Sequence, residues 1–202
     1  MKVTKEKAAE NRAALVRTAG RLFRERGVDG VGVAEICKAA GLTHGALYAQ
    51  FPSKDALAAE ALAHGLKRSH AAMMAIADGG KPNLTAYLDF LISVGQRDAL
   101  ANGCAMTASA SEIGRQDEVV SACFAEGFEA IVALIRQVLD QTESEADARR
   151  RALAIVAAEI GAIAVARATA KSRPDLSDEI LGAVRGILGE VGREPREGSA
   201  GA

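Results

Sequence analysis

Several things are scarce in this chain of 202 residues. It has no Trp, and Tyr and Phe together make up 3% of it. Its core must therefore be built from aliphatic side chains, and Ala, Leu, Val and Ile favour helices packed closely through small residues. The four prolines, at 52, 82, 174 and 195, each stand near a plausible helix boundary. The three cysteines, at 37, 104 and 123, are odd in number, with no CxxC and no metal-ligand spacing. With no signal-peptide pattern at the start, they read as free thiols in a reducing cytoplasm. No uncharged apolar run reaches the roughly 18–20 residues that span a bilayer. The longest, Ala152 to Ala166, contains Glu159. Strand-like alternation is also absent, so the fold is expected to be all-α.

Catalytic groupings are missing as well. The three histidines all fall at positions 44–70. His64 and His70 are six apart, on opposite faces of a helix. No Ser/His/Asp arrangement, metal cluster or phosphate loop can be drawn, so the chain reads as a non-enzyme without cofactors.

Hydrophobic residues make up 49% of the chain, enough for a sizeable core. The net charge of −1 is uninformative, but its distribution is not. Residues 1–70 carry 12 Lys/Arg against 7 Asp/Glu, and residues 71–202 carry 13 against 19. A basic first third suits a polyanionic partner.

The stretch from Gly32 to Lys54 is the most telling. A lead helix is expected from about Ala8 to Arg26, with Gly27 as its stop. Val33–Ala40 and Thr43–Gln50 then read as short helices around a turn at Gly41. Phe51-Pro52 breaks the chain, and Ser53 caps a long helix toward Ala77. Asp78 to Asn83 is a strong loop signal. Further helices are expected near 83–101, 103–114, 117–141, 145–171 and 175–192, about nine in all. The tail from Arg193 is expected to be disordered. The implied organisation is a helix–turn–helix domain at 1–58, an all-helical body at 59–192, and a tail at 193–202.

The second short helix is too small and too sparsely apolar for a core helix, and suits a DNA major groove. Thr43 can cap it and reach a phosphate. His44 stands at its exposed start, where a donor meets a base edge. Gly45 lets backbone approach closely, and Tyr48 can donate to a phosphate or pack on a thymine methyl. Gln50 suits adenine or solvent. Lys54, at the next helix N-terminus, forms an anion site. Ile36, Leu42, Leu47 and Phe51 read as the core beneath.

Ala19, Leu22, Phe23, Gly27, Val33, Ile36, Ala40, Gly41, Leu42, Gly45, Leu47, Tyr48, Phe51, Lys54 and Leu57 together resemble the helix–turn–helix of the TetR family of bacterial transcriptional regulators. The resemblance implies a homodimeric repressor, with a DNA-binding domain at 1–58 and a ligand-binding and dimerisation domain at 59–192, released from a palindromic operator by a small molecule. An activator is the alternative mode. Family members often carry Thr and a basic residue where this chain has Gly32 and Ala34, so the backbone N–H groups of Gly32 and Val33 would serve instead.

In such proteins a ligand between the body helices tilts the linking helix and shifts the recognition helices from their spacing of about 34–36 Å. Met73, Tyr87, Phe90, Leu91, Val94, Met106, Phe124 and Phe128 could line the pocket or simply pack a core. Glu159, alone in an apolar run, needs a partner such as Arg167, or faces a polar ligand. Cys104 follows a Gly103 break at a helix start. It is either a small packing residue or a sensor thiol like that of the subgroup responding to reactive electrophiles. The last two helices offer small or apolar faces for a partner copy: Ala158, Gly161 and Ala162, then Ile180, Val184, Ile187 and Leu188.

Overall fold

The computed structural model describes residues 4–76, 83–139 and 144–191. Its described residues are helical, with no strand. The order is α1 (Lys5–Arg26), α2 (Val33–Ala40), α3 (His44–Tyr48), α4 (Lys54–Ile76), α5 (Leu84–Leu91), α6 (Val94–Asp98), α7 (Ala105–Ser109), a 3-10 turn (Ile113–Arg115), α8 (Glu118–Val138), α9 (Glu145–Thr169) and α10 (Pro174–Val191). The expected loop at 78–82 and the tail from 193 lie outside the described residues.

Side-chain caps set most helix starts. Thr4 Oγ1 accepts from the Lys7 amide at 3.2 Å, so α1 begins at Lys5 rather than near Ala8. Ser53 Oγ accepts from the Ala56 amide at 3.1 Å, as expected for the long helix. Asn83 and Ser144 do the same for α5 and α9. Two expected helices are shorter in the structure. The segment 83–101 breaks at Ile92–Ser93, where Ser93 Oγ donates to the Phe90 carbonyl and accepts from the Gln96 amide. One serine thus ends α5 and starts α6, a local competition invisible to apolar periodicity. The segment 103–114 reduces to α7 and the 3-10 turn.

The chain forms two compact units, Met1–Ala72 with Asp98–Glu129, and Met73–Arg97 with Ala130–Ala202. In the first, Leu15, Val16, Ala19, Leu22 and Phe23 of α1 share a core with Ile36, Leu47, Phe51 and Leu57. Ala105, Ile113 and Val120 belong to the same core. The helix–turn–helix is therefore supported by residues far along the chain from the expected boundary near 58.

In the second unit α9 and α10 pack together. Ala152, Ile155, Val156, Ile163 and Ala166 are buried, and Ser177 Oγ donates to the Ala166 carbonyl at 2.8 Å. Ala162 and Leu188 are 5% and 6% exposed, so they pack within the protomer instead of facing a partner. By length and composition α9 would also suffice to cross a membrane if the charge of Glu159 within it is allowed. Here a face of it is buried against α10.

Glu159 is buried in this unit, and burial pushes its carboxyl up to about 8 while the charge of Arg167 pulls it back. Arg167 therefore acts on Glu159 through its charge. Arg167 also donates to the carbonyls of Arg97 at 2.9 Å and Gln96 at 2.8 Å. A carboxyl that holds its proton more tightly when folded loses stability as pH rises between the unfolded and folded values. The stability contribution of Glu159 is therefore greatest below about 4.5 and declines until about 8. Thermal melts from pH 5 to 9 should show Glu159→Gln lacking this decline, so that its Tm gains on the natural chain as pH rises. Parallel curves would mean that Glu159 is charged throughout.

Candidate nucleic-acid interface

The turn between α2 and α3 depends on Gly41, whose φ of +68° is left-handed. Its N–H reaches the Lys38 carbonyl, and the Leu42 N–H reaches that of Cys37 at 2.9 Å. These bonds close α2 and turn the chain into Thr43. Thr43 Oγ1 accepts from the Ala46 amide at 3.2 Å and so starts α3. Leu47 at 0% exposure and Phe51 at 2% then fasten α3 to the core. Burying two such side chains contributes about 3–6 kcal/mol before entropy is counted.

The opposite side of α3 is open. Thr43, His44, Gly45 and Tyr48 are exposed, Tyr48 by 55% despite its ring. A Cβ on Gly32 would meet nothing within 4 Å, so this backbone is freely approachable. Val33 is half-buried against the core, and only its backbone N–H, at the start of α2, remains for a ligand. Gln50 is half-buried beyond the end of α3, and its carbonyl accepts from Arg12. Lys54 is the first residue of α4. The predicted residues thus lie along one continuous run, with donors and helix N-termini suited to phosphate oxygens.

Arg12 was not anticipated. Its Nη1 donates to the Gln50 carbonyl at 2.6 Å and its Nε to Glu60 Oε1 at 3.0 Å. Its Nη2 pairs with Glu60 Oε2. The guanidinium also lies 4.2 Å from the Phe51 ring centroid. One side chain of α1 thereby ties the end of α3 to α4. Its place three and four residues before the buried Leu15 and Val16, on the inner side of α1, was the available signal. The Arg26–Glu35 pair at 2.5 Å similarly joins α1 to α2.

A second support is Glu112. Its Oε2 accepts from the Val28 amide at 2.9 Å, just past the Gly27 stop. Burial raises its pKa, while that backbone bond and the charges of Arg115 and Lys54 lower it. Gly27 has φ +78°, and a Cβ there would lie 2.6 Å from Glu112 Oε2. Gly27 is thus required by backbone conformation, and a Cβ there would push Glu112 Oε2 from its place beside the Val28 amide.

Residues 15–61 match the family described as "Bacterial regulatory proteins, tetR family". Residues 82–176 match "Transcriptional regulator LmrA/YxaF-like, C-terminal domain". The chain belongs to the TetR family. This is a family of transcriptional regulators, not of enzymes. The HTH-type transcriptional regulator TtgR of Pseudomonas putida is 42% identical over 67 residues, which cover 33% of this chain and 31% of that protein. AcrR of Shigella flexneri is 44% identical over 57 residues, 28% and 26% of the two chains. The matched segments thus span less than a third of these curated relatives. Among solved structures, the reduced form of E. coli NemR has a TM-score of 0.75 at 21% identity, over 93% of this chain and 99% of that one. A TetR regulator from Chloroflexus aurantiacus has a TM-score of 0.73 at 26% identity, over 92% and 97%.

The residues expected to line an effector pocket are divided between the units of this TetR-family chain. Met106, Phe124 and Phe128 belong to the first, and Met73, Tyr87, Phe90, Leu91, Val94 and Glu159 to the second. Met106 is 0% exposed, and Phe124 and Phe128 are half-buried. Met73, Tyr87 and Leu91 are buried and Phe90 half-buried, whereas Val94 is 47% exposed. Tyr87 is 1% exposed, and its hydroxyl has no hydrogen-bond partner among the described residues.

The cysteines differ. Cys37 is buried, and burial raises its thiol pKa. Cys123 Sγ donates to the Ala59 carbonyl at 3.3 Å, and burial raises its pKa too. Cys104 is half-buried at the N-cap of α7, close enough to Arg24 for a thiolate there to favour the charged guanidinium.

Arg12→Ala should cost about 1–2 kcal/mol, lowering the Tm by a few degrees. Amide hydrogen exchange at residues 47–51 should speed up, with Arg12→Lys intermediate because it keeps charge but not the fork. Unchanged exchange there would show that Leu47 and Phe51 hold α3 unaided. Gly27→Ala should cost about 1–3 kcal/mol by the same thermal melt.

Proposed function

We propose that this chain is a cytoplasmic, homodimeric transcriptional repressor that binds a palindromic DNA operator through α2 and α3 and leaves it when a small molecule binds. The observation that carries this reading is α3 itself, a five-residue helix pinned by Leu47 and Phe51 with its other side open. Thr43, His44, Gly45, Tyr48 and Gln50 would meet the groove and its edges. Gly32, Val33 and Lys54 would hold phosphates through backbone N–H groups, a helix N-terminus and a charge.

Dimerisation would use the outer faces of α9 and α10. Val165 is 51% exposed, Ile187 62% and Val191 39%. A Cβ on Gly161, Gly182 or Gly186 would meet nothing within 4 Å, so another helix could approach closely. Ala158, Ile180 and Val184 are half-buried and would complete the seam. Two-fold symmetry would match the operator's palindrome. The buried, unpartnered Tyr87 hydroxyl favours an effector with a polar group that pairs with it.

Cys104 carries a second reading, a thiol switch attacked by reactive electrophiles. The interaction with Arg24 favours it, because a neighbouring cation stabilises the nucleophilic thiolate.

Anisotropy titration against the DNA upstream of the chain's own gene tests the main reading. Lys54→Ala should weaken binding to all sequences alike and reduce the salt slope by about 1. Undiminished binding would remove Lys54 from the interface. Treatment with N-ethylmaleimide should release the DNA, and Cys104→Ser should prevent that release, if the thiol is the switch. Release that persists in Cys104→Ser, or no release at all, would discard the thiol reading and leave the repressor in place. Ile187→Glu should yield monomers in sedimentation, and a dimer that survives it would exclude this α10 face.

A further inference from the structure

The densest positive charge in the first unit stands apart from α3. Arg17, Arg21 and Arg24 follow at i, i+4 and i+7 along one face of α1. His64 and Arg68 stand at i, i+4 on α4. Together with Asn102 these side chains line a groove of about 370 Å³, with no acidic residue in its lining. Arg21 pairs at its edge with Glu25 at 3.1 Å.

The groove has a built floor. A Cβ on Gly20 would lie 3.3 Å from Arg24 Nη1, and one on Gly65 3.4 Å from the same atom. The Arg24 guanidinium therefore lies across the glycines of both helices. Its Nε donates to the Ala101 carbonyl at 2.7 Å. Arg68 Nη2 donates to the next carbonyl, that of Asn102, at 3.2 Å. Burial lowers the Arg24 pKa first, and the charge of Arg68 lowers it further. Two guanidiniums are thus positioned by neighbouring carbonyls in spite of mutual repulsion.

We propose that this groove binds a small polyvalent anion, a molecule bearing two or more phosphate or carboxylate groups. Planar guanidinium forks match both groups bidentately. The volume is in the range of small-molecule sites. An anion there removes the repulsion between Arg24 and Arg68. It also clamps α1 to α4 and to the Ala101–Asn102 segment, the frame that carries the helix–turn–helix. The DNA backbone is a poorer occupant. At 1.5 Å per residue, His64 and Arg68 lie about 15 Å and 21 Å along α4 from Lys54, well up the helix from its N-terminus.

Thermal melts and calorimetry with tripolyphosphate and with citrate, at matched ionic strength, test the proposal. At least one should raise the Tm saturably by several degrees, and which one acts distinguishes phosphate from carboxylate ligands. Arg17→Glu/Arg21→Glu alters only exposed positions of α1. It loses the Arg21–Glu25 pair, so its basal Tm should fall by no more than about 1–2 °C, and it should keep the DNA affinity but bind the anion at least tenfold more weakly. Arg68→Ala should also bind more weakly, and Lys54→Ala should bind normally. No rise beyond chloride, or a rise unchanged in both groove variants, overturns the proposal. A loss of DNA affinity with a reduced salt slope in Arg17→Glu/Arg21→Glu overturns it too, because the groove would then be a DNA contact.

Discussion

A five-residue helix has no stability of its own, because nucleation costs more than so few bonds return. α3 exists because Leu47 and Phe51 are driven into a core and Arg12 closes over the Phe51 ring. Everything else in the first unit serves that anchorage. Gly41 sets the angle at which α3 leaves α2, and Thr43 starts it on the right residue. With the inner side fixed, the outer side can consist of whatever residues a partner requires. The same separation explains how Gly32 and Gly45 can be tolerated at helix starts.

That core does not stop at the end of the helix–turn–helix. Ala105, Ile113 and Val120 close it, and Glu112 holds the Val28 amide at the end of α1. A change in the segment from Asp98 to Glu129 is thus felt by the elements that position α3 through direct packing. No long relay is needed. The basic groove belongs to the same frame, since its walls are α1 and α4. An anion bound there and a modification at Cys104 would act on neighbouring parts of one structure.

The first unit was largely legible because its signals are local. The Gly27 stop, the Gly41 turn, the Thr43 and Ser53 caps and the spacing of Leu47 and Phe51 each act within a few residues. Legibility fell where two local preferences compete. Ser93 can bond the backbone on either side, and it splits a segment that apolar spacing alone reads as one helix. It fell again for faces that are apolar all round. Ala162 and Gly161 look alike in the sequence, yet one is buried against the protomer and the other is open.

From the sequence alone came the helical class, the helix–turn–helix and the basic first third. These follow from side-chain type and short spacing, which the folded state preserves. Tertiary structure decided the reach of Arg12 to Gln50 and Glu60, the hold of Glu112 on the Val28 amide, and the meeting of the α1 and α4 arginines over Gly20 and Gly65. Each joins residues tens of positions apart. Only the packing of whole helices brings such groups within hydrogen-bonding distance, and no spacing along the chain encodes it.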